Sequence, residues 1–150
     1  MILSAVHICN PGDEGEKLSA NFTAGEFKSK DGSQQWLVCP LLVSQLQTIR
    51  DRLGVPLKIN SGYRSPEHNK KVGGASNSMH IYGNAADVAC PSGITPERFA
   101  GLAFHVGFTG IGVYNGRVHM DTRTTGRAYW RKDGGTRASG DLATWAKEWE

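Results

Sequence analysis

The sequence feature that most constrains the fold is the dipeptide Asn115-Gly116, which separates two short segments of alternating apolar and polar residues. Asn-Gly between two such segments is the strongest short-range signal for a β-hairpin with a two-residue turn. We therefore predict strands over 110–114 and 117–123. Because strand side chains alternate between the two faces, the turn also sets the register and places Val118 and Met120 on the core face.

The opposite face of the second strand is polar. Its side chains are Arg117, His119, Asp121 and Arg123. In the predicted register, Gly112 lies opposite His119 and Gly110 lies opposite Asp121. Glycine inside a strand often marks close approach by another group. We interpret the space over these glycines as room for a metal ion and a substrate backbone; accommodation of sheet twist is the alternative.

Two histidines and one aspartate are the candidate metal ligands. They are His80 and Asp87, seven residues apart, and His119 in the predicted hairpin. Two imidazoles and one carboxylate can occupy three corners of a zinc tetrahedron and leave the fourth to water, which is the ligand count of a catalytic site. Zinc lowers the pKa of bound water to about 7 and polarises a carbonyl oxygen. If the three residues assemble, the pattern predicts a hydrolase.

The rest of the chain predicts a mixture of helices and strands. Pro40 suits the first position of a helix and Gly54 the position after its end, with apolar residues at helical spacing between them. Residues 1–18 are predicted to form an arm or a short edge element. The other predicted elements are a strand over 55–60, a short helix over 65–71, a strand over 87–89, a helix from 95 to 107, and a last helix capped by Asp141 with an apolar stripe of Leu142, Trp145 and Trp149.

Three stretches of the sequence together resemble one protein family. Their joint pattern is Ser-x-x-Arg, then Ser-x-His-x6-Asp, then His-x-Asp, as in the D-alanyl-D-alanine carboxypeptidase-like zinc peptidases. That family includes short phage and prophage wall-cleaving enzymes and is related to VanX-type dipeptidases and the Hedgehog signalling domain. The stretches are 59–88, 110–114 and 118–123, and the resemblance extends over about 18–130.

The resemblance implies a fold and a domain arrangement. The fold would be α+β, a small antiparallel β-sheet flanked by helices, as in the Hedgehog and D,D-peptidase proteins. We expect a single zinc peptidase domain over 1–150, with a motif-bearing core at about 18–130 and a C-terminal extension at 131–150. The extension would either bind wall polymer or complete the core, and we favour the core.

The resemblance also implies roles for single residues. His80, Asp87 and His119 correspond to the zinc ligands. Arg64 matches an arginine beside the metal that would hold a substrate carboxylate or carbonyl, groups that suit its planar guanidinium. The alternative for Arg64 is a salt bridge to a surface acid.

Ser78, Tyr114 and Arg123 are expected to contact the substrate, with Tyr114 as a hydroxyl donor to the oxyanion. Ser78 could instead cap a turn. One position departs from the family pattern: several relatives carry Glu or Asp three residues before the last His ligand, as general base, and here that position is Gly116. Asp121 could act as the base, because it shares a strand face with the last ligand. It could equally orient that imidazole, which metal-bound His usually requires.

Charge and composition restrict the partners. The net charge is only +3, and no basic run with interleaved aromatics occurs, so we expect no nucleic-acid partner. No apolar run approaches the ~20 residues of a membrane span, so we expect no membrane insertion. Residues 1–9 lack the basic start of a signal peptide. We expect a monomer made in the cytoplasm that acts on the cell wall, with a phage or prophage origin.

These features predict a zinc-dependent peptidase that hydrolyses amide bonds in bacterial peptidoglycan stem peptides. It would be either a D,D-carboxypeptidase or an endopeptidase of the endolysin type. The alternative is a wall-binding or virion-associated module that keeps the fold and the zinc but has little or no turnover. The glycine at position 116 favours this alternative.

Overall fold

The computed structural model describes residues 6–150 and has a mixed α+β fold, which confirms the predicted class. The helices are α1 (Pro40–Leu53), α2 (Pro66–Lys71), α3 (Pro96–Val106) and α4 (Asp141–Ala146), with 3-10 turns at Ala24–Phe27, Met79–Tyr82 and Lys147–Trp149. The strands are β1 (His7–Cys9), β2 (Trp36–Val38), β3 (Ile59–Ser61), β4 (Ala85–Ala89), β5 (Gly110–Tyr114), β6 (Arg117–Asp121) and β7 (Ala128–Arg131). Within 6–150, no helix has the length and apolar character needed to cross a membrane.

The main sheet has five strands in the order β3-β4-β6-β5-β7. The predicted hairpin register is confirmed: Gly112 pairs with His119 and Gly110 with Asp121. The prediction of an antiparallel sheet is wrong at one edge, because β7 runs parallel to β5. The reason is geometrical. The end of β6 lies beside the start of β5, since Asp121 pairs with Gly110. The short loop at 122–127 keeps the chain at this end of the sheet. The next strand, β7, starts there on the free edge of β5 and therefore runs in the direction of β5.

Three predicted strands have different bounds in the structure. The strand expected over 55–60 is β3, at Ile59–Ser61. Pro56 has no N–H to donate to a sheet, which disfavours a strand through that position. The strand expected over 87–89 begins two residues earlier, at Ala85, and the second hairpin strand ends at Asp121 instead of 123.

The N-terminal segment forms the predicted edge element where it is described. β1 pairs antiparallel with β2 in a separate two-stranded sheet. β2 was not predicted, although its Trp36 is fully buried. The first five residues of the predicted arm lie outside the described part of the chain.

The core lies on the face of β5 and β6 that carries Val118 and Met120, both fully buried. Helix α3 packs against these strands, and α1 and α4 pack against α3. Gly101 allows the close approach of α4, because a methyl group there would overlap the backbone of Trp145. The prediction that Asp141 caps α4 is wrong. The cap is Gly140, and Asp141 is the first residue of the helix. Because α3 covers the face of the sheet that carries Val118 and Met120, the other face of the sheet is left for polar side chains.

Candidate metal centre

Three predicted ligands come together on the polar side of the sheet. Asp87 on β4 pairs directly with His119 on β6. His80 enters from the 3-10 turn Met79–Tyr82, which ends at Gly83 in the left-handed conformation. One ligand atom from each of the three residues lies within 4.8 Å of the other two, and all three residues are buried. The two strands and the 3-10 turn thus bring their side chains into one small volume.

Asp87 lies between the two imidazoles. Its Oδ1 is 3.1 Å from Nδ1 of His119 and 3.4 Å from Nε2 of His80. Burial by itself raises the pKa of the Asp87 carboxyl, but the hydrogen bonds with His119 and His80 lower that pKa by more, to well below its usual range. The pKa of His119 is raised: burial opposes its protonation, and the carboxylates of Asp121 and Asp87 outweigh burial. The centre therefore favours positive charge.

The other nitrogen of each imidazole is held by an acceptor. His80 Nδ1 donates to the carbonyl oxygen of Gly62 at 2.7 Å, because a carbonyl can only accept. His119 Nε2 lies 2.7 Å from Oδ2 of Asp121. In the neutral form of each ring, which is the form that binds a metal, a proton on the outer nitrogen leaves the lone pairs on Nε2 of His80 and Nδ1 of His119, the two nitrogens on the side of Asp87. This donor set, two oriented imidazoles and one carboxylate, fits a zinc ion.

Asp121 is completely buried and fully engaged. Arg123 donates to Oδ1 through its backbone N–H at 3.1 Å and its Nε at 2.9 Å, and to Oδ2 through Nη2 at 2.6 Å. Burial raises the pKa of Asp121, but Arg123 and His119 together lower it to about 2. Arg123, which we expected to contact substrate, lines the cleft with its guanidinium committed to Asp121.

The space over the two strand glycines is already filled. The Asp121 carboxylate lies where a methyl group on Gly110 would be, and the indole of Trp130 lies where a methyl group on Gly112 would be. Our prediction that a metal ion and a substrate backbone occupy this space is therefore wrong. Over Gly112 the cause is β7, whose parallel pairing places Trp130 beside this glycine, and over Gly110 it is the Asp121 side chain of β6 itself.

Trp130 is a site residue that sequence reasoning missed. Its ring centroid lies 5.0 Å from that of His119. Its Nε1 donates a hydrogen bond of 2.8 Å to the hydroxyl oxygen of Tyr114. Both Trp130 and Tyr114 line the cleft beside the ligands. The only signal in the sequence was a tryptophan close after the His-x-Asp strand, and it had no predicted partner.

Arg64 lies beside the centre and contacts Asp87. Its Nη2 is 3.2 Å from Asp87 Oδ2, while Nε and Nη1 donate to the side chains of Ser61 and Asn69 at 3.2 Å and 3.3 Å. The acid that pairs with Arg64 is thus a buried candidate ligand and not a surface acid. A guanidinium has five N–H groups, so two remain for another partner.

Ser78 caps the turn that carries His80, since its hydroxyl accepts the His80 backbone N–H at 3.2 Å. Ser78 also lines the cleft, which has a volume of about 720 Å³. The charged side chains along the cleft are Arg64, Asp87, Arg117, Arg123 and Lys132. Asp87 is thus the single carboxylate among the cleft-lining residues of the described chain.

A cluster of three candidate ligands that opens onto a cleft has the arrangement of a catalytic metal site and not that of a closed structural one. Residues 18–121 match the family model described as Peptidase M15, and the chain belongs to this family. The family predicted from the sequence is thereby confirmed. Over 60 residues the chain is also 49% identical to the zinc D-Ala-D-Ala carboxypeptidase of Streptomyces albus G. That stretch is 39% of this chain and covers 22% of the relative's length.

Proposed function

We propose that this protein is a zinc peptidase that hydrolyses amide bonds in peptidoglycan stem peptides. The observation that carries the proposal is the convergence of His80, Asp87 and His119 beside an open cleft, with both imidazoles oriented. Membership of the Peptidase M15 family and the similarity to a zinc D-Ala-D-Ala carboxypeptidase support it. When bound, zinc supplies Lewis acidity, which activates water and polarises a carbonyl group.

Arg64 is assigned to substrate binding. Its contact with Asp87 fixes the guanidinium next to the centre, and two of its N–H groups are free to hold a carbonyl oxygen or a carboxylate of the peptide. Positioning of this kind accelerates the reaction because the scissile group is held where attack occurs.

Asp121 is assigned to orienting His119, and not to accepting the proton of the attacking water. An ionised carboxylate offers about four lone-pair sites, and Asp121 receives three hydrogen bonds from Arg123 and one from His119. It is also completely buried, so water has no access to it. The three hydrogen bonds from Arg123 hold the carboxylate in place, and the fourth orients the His119 imidazole.

Tyr114 is assigned as the donor to the developing oxyanion. The N–H of Trp130 can only donate, so the Tyr114 oxygen accepts and its own proton remains for another acceptor. Among residues 6–150, this hydroxyl donates no hydrogen bond. A donor that is in place before the reaction stabilises the oxyanion without reorganisation.

We also propose a particular fold and a cleavage mode. The ligands on adjacent strands β4 and β6 support the Hedgehog and D,D-peptidase fold. We favour removal of a terminal D-alanine over endolysin-type cleavage within the stem, because Arg64 beside the centre suits a terminal carboxylate. The second candidate is a wall-binding module with little turnover, and Asp87 as the single carboxylate of the described cleft favours it.

The test is mass spectrometry of peptidoglycan fragments incubated with zinc-loaded protein. His119→Gln is the inactive variant, and His105→Gln on the exposed surface of α3 is the matched control. Loss of one terminal alanine supports the carboxypeptidase, and a split stem or cross-bridge supports the endopeptidase. Intact fragments together with measured zinc binding would leave the wall-binding module.

A further inference from the structure

The polar face of β6, β5 and β7 forms successive rows of side chains across the three strands. Tyr114 pairs with Arg117 on β6, and Gly112 pairs with both His119 and Trp130. The parallel ladder continues one step, because the Lys132 N–H donates to the carbonyl of Val113 at 2.8 Å. Since side chains alternate along a strand, Arg117, Tyr114 and Lys132 form one row, two residues along from the row of His119.

The two ends of this row are cationic. The Arg117 guanidinium lies over the Tyr114 ring, 4.3 Å from its centroid, and Lys132 is exposed. Both line the cleft. Stacking on an aromatic face holds the guanidinium in place while its N–H groups stay available.

Neither cation has an anionic partner in the described chain. Arg64 and Arg123, the other cations along the cleft, are paired with Asp87 and Asp121. Among residues 6–150, no carboxylate forms an ion pair with Arg117 or Lys132. The cleft therefore has uncompensated positive charge at the end formed by the β5–β6 turn.

We propose that Arg117 and Lys132 form a carboxylate-binding subsite of the cleft, which selects peptides that carry a carboxylate close to the scissile amide. The inference rests on the proposed peptidase function. Two residues along a strand correspond to about 7 Å, so the row lies within about two or three extended substrate residues of the metal centre. A stem peptide offers two such groups, an interior isoglutamyl carboxylate and the terminal carboxylate.

The probe is a stem pentapeptide that ends in D-alanyl-D-alanine, in three forms: both carboxylates free, the interior one amidated, or the terminal one amidated. Binding to the zinc-loaded protein is followed by stopped-flow tryptophan fluorescence, which records association before turnover. We expect Arg117→Gln/Lys132→Gln to bind the free peptide about tenfold more weakly. One of the two amidations should weaken binding to the wild type. The same amidation should leave the affinity of the double variant unchanged.

The carboxylate whose amidation loses its effect identifies the group that the subsite holds. Lys30→Gln/Lys147→Gln removes the same charge from exposed positions outside the cleft and should behave as the wild type. Equal sensitivity of wild type and Arg117→Gln/Lys132→Gln to both amidations would overturn the proposal. Hydrolysis is recorded separately: an intact subsite without any cleavage would contradict only the proposed function.

Discussion

Asp121 lies against the nitrogen of His119 that faces away from Asp87, with Oδ2 2.7 Å from Nε2. Because the two residues share a face of β6, the carboxylate reaches back along the strand to the imidazole. The strand motif His-x-Asp thus joins a candidate ligand to the group that sets its tautomer. This relationship makes metal affinity, and not only the reaction rate, sensitive to Asp121.

We expect Asp121→Ala to weaken zinc binding by about 10–100-fold, because the freed imidazole loses its orientation and its basicity. Competition with a chromogenic chelator measures the affinity, and circular dichroism checks that the variant folds. Asp133→Ala removes a carboxylate that is paired with Arg131 and does not line the cleft, and it should leave zinc affinity unchanged. An unchanged affinity for Asp121→Ala with a reduced rate would instead indicate a general base.

Gly112 is predicted to tolerate no side chain. A methyl group there would overlap the indole of Trp130, which would have to move away from His119 and Tyr114. We expect Gly112→Ala to lower the free energy of unfolding by about 1–3 kcal/mol, the usual cost of overpacking. Urea unfolding measures the change.

Gly15→Ala is the matched control for this substitution. No atom lies within 4 Å of a methyl group built there, and its φ is not positive, so stability should stay the same or rise slightly. Equal stabilities for Gly112→Ala and the wild type would mean that Trp130 does not pack over β5 as described.

Acid should remove a stabilising contribution from the pair formed by Arg131, the last residue of β7, and Asp133 just after the strand. The hydrogen bond from Arg131 lowers the pKa of Asp133 to about 2, against a smaller opposing effect of burial. In the unfolded chain the pKa is about 3.9, so between these values the unfolded state binds more protons and stability rises with pH. The contribution is complete above about pH 5 and is lost as the pH falls towards 2.

We expect Asp133→Asn to remove about 1 kcal/mol of this acid-dependent stability, after allowance for solvent screening. Urea unfolding of both proteins between pH 2 and 6 measures it. Asp51→Asn, at an exposed carboxylate without an ion pair among residues 6–150, should keep the slope of the wild type. Parallel slopes for the wild type and Asp133→Asn would show that the pair contributes nothing to stability.

Local signals explain what could be predicted from the sequence. The Asn115-Gly116 turn determines the register of its own hairpin, and that register correctly pairs Gly112 with His119. The place of β7 depends on a pairing between distant parts of the chain, which no turn residue encodes. Without β7, neither Trp130 over Gly112 nor Lys132 beside Tyr114 could be expected.

The contact between Asp121 and Arg123, unlike the place of β7, could have been predicted from local sequence. Both residues were placed on one strand face, and i and i+2 spacing allows long side chains to meet there. From the sequence we considered Arg123 as a substrate contact and did not consider Asp121 as its partner, although the structure pairs the two side chains. The rule that a buried charge must be paired would have connected the two residues.

Tyr114 and Trp130 are predicted to act as one unit. Tyr114→Phe removes the hydroxyl proposed to stabilise the oxyanion and should lower kcat by a factor on the order of 10². Trp130→Phe keeps a ring beside His119 but removes the N–H that donates to that hydroxyl, and should lower kcat less. In the double variant the effect of Trp130→Phe should nearly disappear, because its N–H acts only through the Tyr114 oxygen.

Steady-state hydrolysis of a stem peptide measures this cycle, with zinc content determined for each protein. Trp130 also contacts the candidate ligand His119. Equal zinc content in all four proteins would show that the differences in kcat do not come from a loss of zinc. Additive losses in kcat would mean that Trp130 acts on the reaction by a route other than Tyr114. A Tyr114→Phe protein as fast as the wild type would remove Tyr114 from the reaction, and Trp130 would then stabilise only the position of the His119 ring.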